Sequence, residues 1–160
     1  RLDAIRHELE AAGIESPPIA NIRQAIWGKL TLNISSSMLS LLTGHRLTIL
    51  RDDVMLGELC MQAAAESIAI AAALGVDTSE IDAERLRTMP PPHLPSMRQD
   101  FDNGKPLELD AIVFAPLALA RALGVATPVL DTLAVLAARI GQDRGLYAPR
   151  SVADFARNRR

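Results

Sequence analysis

The chain has 160 residues, of which 49% are hydrophobic but only 3% aromatic, with a formal net charge of −2 and a pI near 5.9. That length suits one domain, and an aliphatic core with much alanine favours helices packed closely on helices. A faintly acidic balance leaves no electrostatic footprint for nucleic acid, and the single Cys60 excludes an internal disulfide and suits a reducing, cytoplasmic compartment.

No secretory signal is recognisable, and a start at Arg1 without methionine leads us to expect a piece of a longer protein. Leu2 to Ala12 has helical periodicity and stops at Gly13, and Ser16-Pro17-Pro18 then breaks the chain. Asn21 is suited to cap a long helix from Ile22 to about Leu42, with Gly44 beyond its end. Asp52 or Asp53 starts the next helix, which Gly75 stops. From Met55 to Leu74 that helix is nearly all apolar, yet Glu58, Gln62 and Glu66 recur at i, i+4 and i+8. Carboxylates at bilayer depth are costly, so this stripe marks a core helix with one polar edge and not a membrane span.

A short helix is expected near Ser79 to Arg87, ahead of the stiff, extended connector Met89-Pro90-Pro91-Pro92-His93-Leu94-Pro95. Ser96 to Pro106 reads as a loop. A helix follows from Leu107 to about Leu123, kinked or divided at Pro116. Thr127, a cap residue before the first-turn Pro128, opens the last helix, which runs to roughly Ile140. The arginines from Arg144 to Arg160, with Asp143 and Asp154 nearby, read as a solvated polar tail. No alternating strand pattern of useful length and no internal repeat occurs. The fold class read from these elements is all-α, a compact bundle of about five to seven helices.

Two constellations carry candidate chemistry. The first is Trp27-Gly28-Lys29-Leu30-Thr31-Leu32-Asn33-Ile34-Ser35-Ser36-Ser37, in which Lys29, Asn33 and Ser37 recur at i, i+4 and i+8 near one helix face. Lys29 is one of two lysines among fifteen arginines. A lysine can give up its proton when desolvated, which an arginine effectively cannot. Spacing alone fits a solvated basic residue equally well. The second is Ser96-Met97-Arg98-Gln99-Asp100 running on to Asp102-Asn103-Gly104-Lys105-Pro106-Leu107-Glu108-Leu109-Asp110. Glu108 falls in a first helical turn, where the dipole favours an ionised carboxylate. By themselves Glu108 and Asp110 also read as a plain helix start, and Asp102-Asn103-Gly104 as a plain turn.

Other candidates are weaker. His7, His45 and His93 lack metal-ligand spacing, so no metal site is expected. Cys60 reads as an inert core thiol, Ser35 to Ser37 lack a nucleophile elbow, and Met38, Met55 and Met61 read as core filler.

Taken together, Trp27-x-Lys29-x-x-x-Asn33, Glu66 before Ala73-Leu74-Gly75, Ser96-Met97-x-Gln99-Asp100-x-x-x-Gly104-Lys105-x-x-Glu108-Leu109-Asp110 and Gly124-Val125-x-Thr127-Pro128 resemble the C-terminal domain of the ketopantoate reductase (2-dehydropantoate 2-reductase) family. The resemblance runs from about residue 10 to residue 140. It implies a helical domain like the C-terminal domain of 6-phosphogluconate dehydrogenase, preceded in the whole protein by a Rossmann domain that binds NADPH. This chain has no G-x-G-x-x-G turn of its own. On that reading residues 1–20 are the end of the Rossmann domain or a linker, 21–143 the substrate and catalytic domain, and 144–160 the tail.

The implied activity is NADPH-dependent reduction of a 2-oxo acid, most directly ketopantoate to pantoate in pantothenate synthesis. The resemblance assigns Lys29 as general acid, and Glu108 as a catalytic group that also holds substrate or cofactor hydroxyls. It assigns Asn33, Ser37 and Ser96 to substrate binding and Glu66 and Asp100 to supporting roles. Its partners would be the 2-oxo acid, the protein's own Rossmann domain and, compatibly, a second copy in a homodimer, with neither nucleic acid nor membrane. The fragment alone is expected to be inactive.

Two departures bear on substrate. Ser37 stands where ketopantoate users usually carry a second asparagine, and Val113-Phe114 stands where an Asn-Gly pair is usual. A serine hydroxyl reaches less far than an amide and offers one donor in place of two. A relative acting on another 2-oxo acid therefore stays open. So does a non-catalytic helical module of the same fold that self-associates through its apolar faces.

Overall fold

Two long helices form the centre of the fold, and their ends obey local rules. The structure, a computed structural model, describes residues 1–84 and 94–148; these contain helices and connecting segments but no strand. In chain order the helices are α1 (Leu2–Ala11), α2 (Ile22–Thr43), α3 (Leu47–Asp52), α4 (Val54–Ala73), α5 (Ser96–Asp102), a π-helical turn (Asp110–Phe114) continued by α6 (Ala115–Leu123), and α7 (Pro128–Asp143). The Asn21 side chain accepts the Gln24 N–H at 3.2 Å to start α2, and Gly44, at φ 78°, ends it. Asp53 starts α4 by accepting the N–H groups of Met55 and Leu56, both at 2.9 Å.

Small side chains let α2 and α4 approach closely. Ile34, Met38, Leu39 and Leu41 of α2 are buried with Cys60, Ala63, Ala64, Ile70 and Ala71 of α4. The polar groups in this layer are satisfied, as burial demands. The Thr31 and Ser67 hydroxyls share a bond of 2.9 Å across the pair, and Ser35 and Ser36 donate to the carbonyls of Thr31 and Leu32, each at 2.6 Å. That back-bonding explains the serine run. The Cys60 thiol lies 3.6 Å from the Ser35 carbonyl oxygen, in the same interior layer. By length and composition α4 is apolar enough to cross a membrane, but its small-residue face packs on α2, α6 and α7.

Several expectations need correction. Ser96 to Asp102 is helix α5 and not a loop: it buries Met97 and Phe101 one turn apart, and Arg98 pairs with Asp102 at 2.6 Å. Helix α3 had no signal strong enough to be read. Ser79 to Glu84 forms turns and not a helix. Asp77 accepts the Ser79 N–H there, which holds its carboxyl below the ordinary carboxylate range, and Asp82 accepts the Glu84 N–H. The rest of that expected helix, Arg85 to Arg87, and the connector from Met89 to His93 lie outside the described residues. Met38 is core filler, whereas Met55 is 83% exposed.

Pro116 does divide its helix, and the π turn shows how. Proline has no N–H and crowds the carbonyl four residues back. Here the Ala115 N–H reaches five residues back to the Asp110 carbonyl, widening the turn ahead of the proline. Beyond α7 the chain folds back onto this turn. Leu107 N–H donates to the Leu146 carbonyl at 2.8 Å, the Tyr147 hydroxyl bonds Asp110 at 3.0 Å, and the Tyr147 ring stacks on Phe114 at 5.9 Å. Arg144 lies over the Phe101 ring, 5.0 Å from its centre. The arginine-rich tail from residue 149 onward lies outside the described residues.

Candidate active site

One face of α2 lines a cleft, although the run from Ile34 to Leu41 in the same helix is buried. Lys29, Leu32, Asn33 and Ser36 follow one another at i, i+3, i+4 and i+7, the spacing of a single helical face. Opposite them stand Pro95 and the first turn of α5, with Ser96 and Gln99, and Glu108 with Ile112, which leads into and sits on the π turn. Leu47, the first residue of α3, also contributes to the lining and is 5% exposed. Together these residues line a cleft of about 460 Å³.

Of the residues singled out from sequence, Lys29, Asn33, Ser96 and Glu108 all line this cleft. Their side chains have no hydrogen-bond or ion-pair partner among the described residues, so these donors and acceptors are available to a ligand. Lys29 and Glu108 are exposed, Asn33 half-buried. Ser37 is placed elsewhere: it is 2% exposed and absent from the described lining, while Ser36 is present. At 100° per residue, position i+8 has turned about 80° from Lys29, whereas i+7 comes back to within about 20°. Asp100 is half-buried on α5 and outside the lining; only its backbone carbonyl serves the loop, accepting the Lys105 N–H at 2.8 Å.

Glu66 does not reach the cleft. Its two carboxylate oxygens accept the N–H groups of Val129 at 2.9 Å and Leu130 at 2.8 Å, capping α7 from across the bundle. Thr127, the cap expected from sequence, makes no side-chain cap bond and instead donates to Asp131 at 3.1 Å.

Sequence reading missed Leu32, Ser36, Leu47, Pro95, Gln99 and Ile112 in this site. Leu32 and Gln99 had a signal, since each is three residues after a candidate on its own helix. Leu47 had none. Lys29 and Leu32 also border a second depression of about 490 Å³, with Asn21, Gln24, Glu80 and Asp82 in its lining. The Gln24 amide nitrogen is buried there without a hydrogen-bond partner.

The fold and the sequence are shared with known proteins. The family described as "Ketopantoate reductase PanE/ApbA C terminal" matches residues 21–141. The 2-dehydropantoate 2-reductase of Mesorhizobium japonicum is 32% identical over 154 residues, a match covering 92% of this chain and 46% of that protein. Among solved structures, 2-dehydropantoate 2-reductase from Methylococcus capsulatus superimposes with a TM-score of 0.79 at 27% identity, over 96% of this chain and 49% of that one. A dimeric ketopantoate reductase from Staphylococcus aureus gives 0.79 at 28% identity, over 90% and 51%. The chain thus spans about half the length of the relatives it matches. With its all-helical fold and a family match over most of its length, the chain belongs to the ketopantoate reductase family and corresponds to its C-terminal domain.

Proposed function

We propose that the whole protein is an NADPH-dependent reductase of a 2-oxo acid of the ketopantoate type, and that residues 21–143 supply the substrate side of its active site. The observation that carries this reading is the convergence of Lys29, Asn33, Ser96 and Glu108, from three separate segments, on one cleft. Reduction of a 2-oxo acid adds a hydride to the ketone carbon and leaves negative charge on its oxygen. An ammonium at that oxygen stabilises the charge and delivers the proton. Lys29 takes this role. The Asn33 amide and Ser96 hydroxyl orient the substrate through its oxygens, and the Glu108 carboxylate accepts from a hydroxyl and balances the charge of Lys29.

The second depression fits the nicotinamide end of a cofactor better than its phosphates. Its described polar lining includes amides and the carboxylates of Glu80 and Asp82, which attract hydroxyl and amide donors and repel phosphate. Gln24, with its unpartnered amide nitrogen, and Asn21 are the residues that would hold that end, beside Lys29. When bound, the cofactor supplies the hydride. We assign the phosphate contacts to a Rossmann domain elsewhere in the whole protein.

We place the whole enzyme in the cytoplasm and regard a homodimer as its natural state, in keeping with the dimeric relative. A purely self-associating module has no need to gather these four groups, and this weighs against that reading. The deciding experiment is NADPH oxidation by the full-length protein with ketopantoate and a small panel of other 2-oxo acids. Turnover is expected; silence across the panel would return the assignment to the association module.

A further inference from the structure

We infer that the segment returning from α7, residues 144–147, is the brace that holds Glu108 in the cleft, with Tyr147 as the positioning residue. The inference rests on the reading of this cleft as the substrate site of a reductase. The Glu108 side chain has no partner among the described residues, so its reach into the cleft is set by the backbone that carries it. That backbone lacks the local devices that start α2 and α4. No side chain caps the turn that opens at Asp110, and its wide π-helical register interrupts the regular i to i+4 ladder ahead of Pro116.

The return supplies what the local sequence does not. The Leu146 carbonyl accepts the Leu107 N–H at 2.8 Å, and the Tyr147 hydroxyl donates to the Asp110 carboxylate at 3.0 Å. The first bond falls on the residue before Glu108 and the second on the next residue but one after it. The Tyr147 ring also stacks on Phe114, at the far end of the π turn. Gly141 leaves the space in which Tyr147 sits, since a Cβ there would come 2.9 Å from Tyr147 Cβ. Arg144 lies over the Phe101 ring of α5, the helix that carries Ser96. One short segment thus touches both stretches that line the cleft with α2, although none of its residues belongs to the described lining. Burial of Leu107 and Leu109 draws the same stretch inward, but the hydrophobic effect is non-directional. Hydrogen bonds are directional, so they fix its rotation and with it the aim of Glu108.

Tyr147→Phe keeps the ring and removes only the hydroxyl. A misplacement of about 1 Å at a catalytic group can cost about a hundredfold in rate. In the full-length protein, with NADPH and the best substrate of the 2-oxo-acid panel, Tyr147→Phe should lower kcat/KM about tenfold. In a Glu108→Ala background the same change should cost less than about twofold, because no carboxylate is left to position. Hydrogen exchange reads the anchoring without turnover. In Tyr147→Phe, amides of residues 107–114 should exchange at least about threefold faster, while those of residues 29–36 on α2 stay as they were. This second readout decides the matter if Glu108→Ala is too slow to compare. A tenfold loss in both backgrounds, or faster exchange spread through α2, marks a general structural role and overturns the inference. So does an unaltered rate or unaltered exchange in Tyr147→Phe. Normal turnover by Glu108→Ala also overturns it and leaves the reductase reading standing. Silence of the unaltered protein across the panel overturns that reading and the inference with it.

Discussion

Glu66 on α4 and Leu130 on α7 are joined by a bond of 2.8 Å from the Leu130 N–H to one carboxylate oxygen, while the other oxygen takes the Val129 N–H at 2.9 Å. This pairing completes the N-terminus of α7. Pro128 has no N–H to satisfy, and Asp131 already bonds the Thr127 carbonyl at 2.8 Å. The two N–H groups left over both go to Glu66. A negative group at the positive end of a helix adds a favourable charge–dipole term.

Glu66→Ala should therefore lower unfolding free energy by about 2 kcal/mol, with Glu66→Gln, which keeps one acceptor oxygen, near half of that. Urea unfolding checks both. A loss under about 0.5 kcal/mol for the alanine variant would show that water replaces the carboxylate at little cost.

The Thr31–Ser67 bond makes a paired prediction, because each hydroxyl is buried and needs the other. Thr31→Val strands Ser67 and should cost about 1–3 kcal/mol. Adding Ser67→Ala should recover much of that loss, since neither partner then needs a bond. Strict additivity in a double-mutant cycle would contradict the pairing.

Gly141 on α7 leaves room for the returning chain. A Cβ there would sit 2.9 Å from Tyr147 Cβ and 3.0 Å from Leu107 Cδ1. Gly141→Ala gains about 1 kcal/mol in helix propensity but loses about 1–3 kcal/mol to overpacking, so a net loss is expected. Tyr147 is the chain's single tyrosine, so its absorbance should report release from Phe114 and Asp110. An unchanged or raised Tm with an unperturbed tyrosine spectrum would refute this.

At the proposed site, Lys29→Ala in the full-length enzyme should lower kcat by about 100- to 10,000-fold, the range for losing a general acid. Lys29→Arg should recover part of the substrate affinity but little of kcat, because the charge returns without a transferable proton. Glu108→Ala should also reduce turnover. Both residues are exposed, so Tm should barely move and the kinetic effect can be assigned to chemistry. Near-normal turnover in Lys29→Ala would remove it from the proton-transfer role.

Much of the fold was legible because its signals are local. Asn21, Gly44 and Asp53 act on groups within four residues, so the ends of α2 and α4 could be read directly. Helix α5 was misread for the opposite reason. It has seven residues and no side-chain cap, and short helices owe their stability chiefly to packing. The Met97 and Phe101 pair at i and i+4 was the available hint.

Within the site, residue types and order were enough to single out Lys29, Asn33, Ser96 and Glu108, through the family pattern they compose. Rotation about α2 decided what spacing had left open, bringing Ser36 into the cleft and turning Ser37 inward. The presence of Leu47 and Ile112 in the cleft and the Glu66 cap on α7 belong to the tertiary structure alone. Partners 63 and 64 residues apart leave no periodic trace, and only the packing of α4 against α7 brings that carboxylate to those amides. Local hydrogen bonds and side-chain periodicity were written in the sequence; the neighbours of each exposed group were set by how the helices dock.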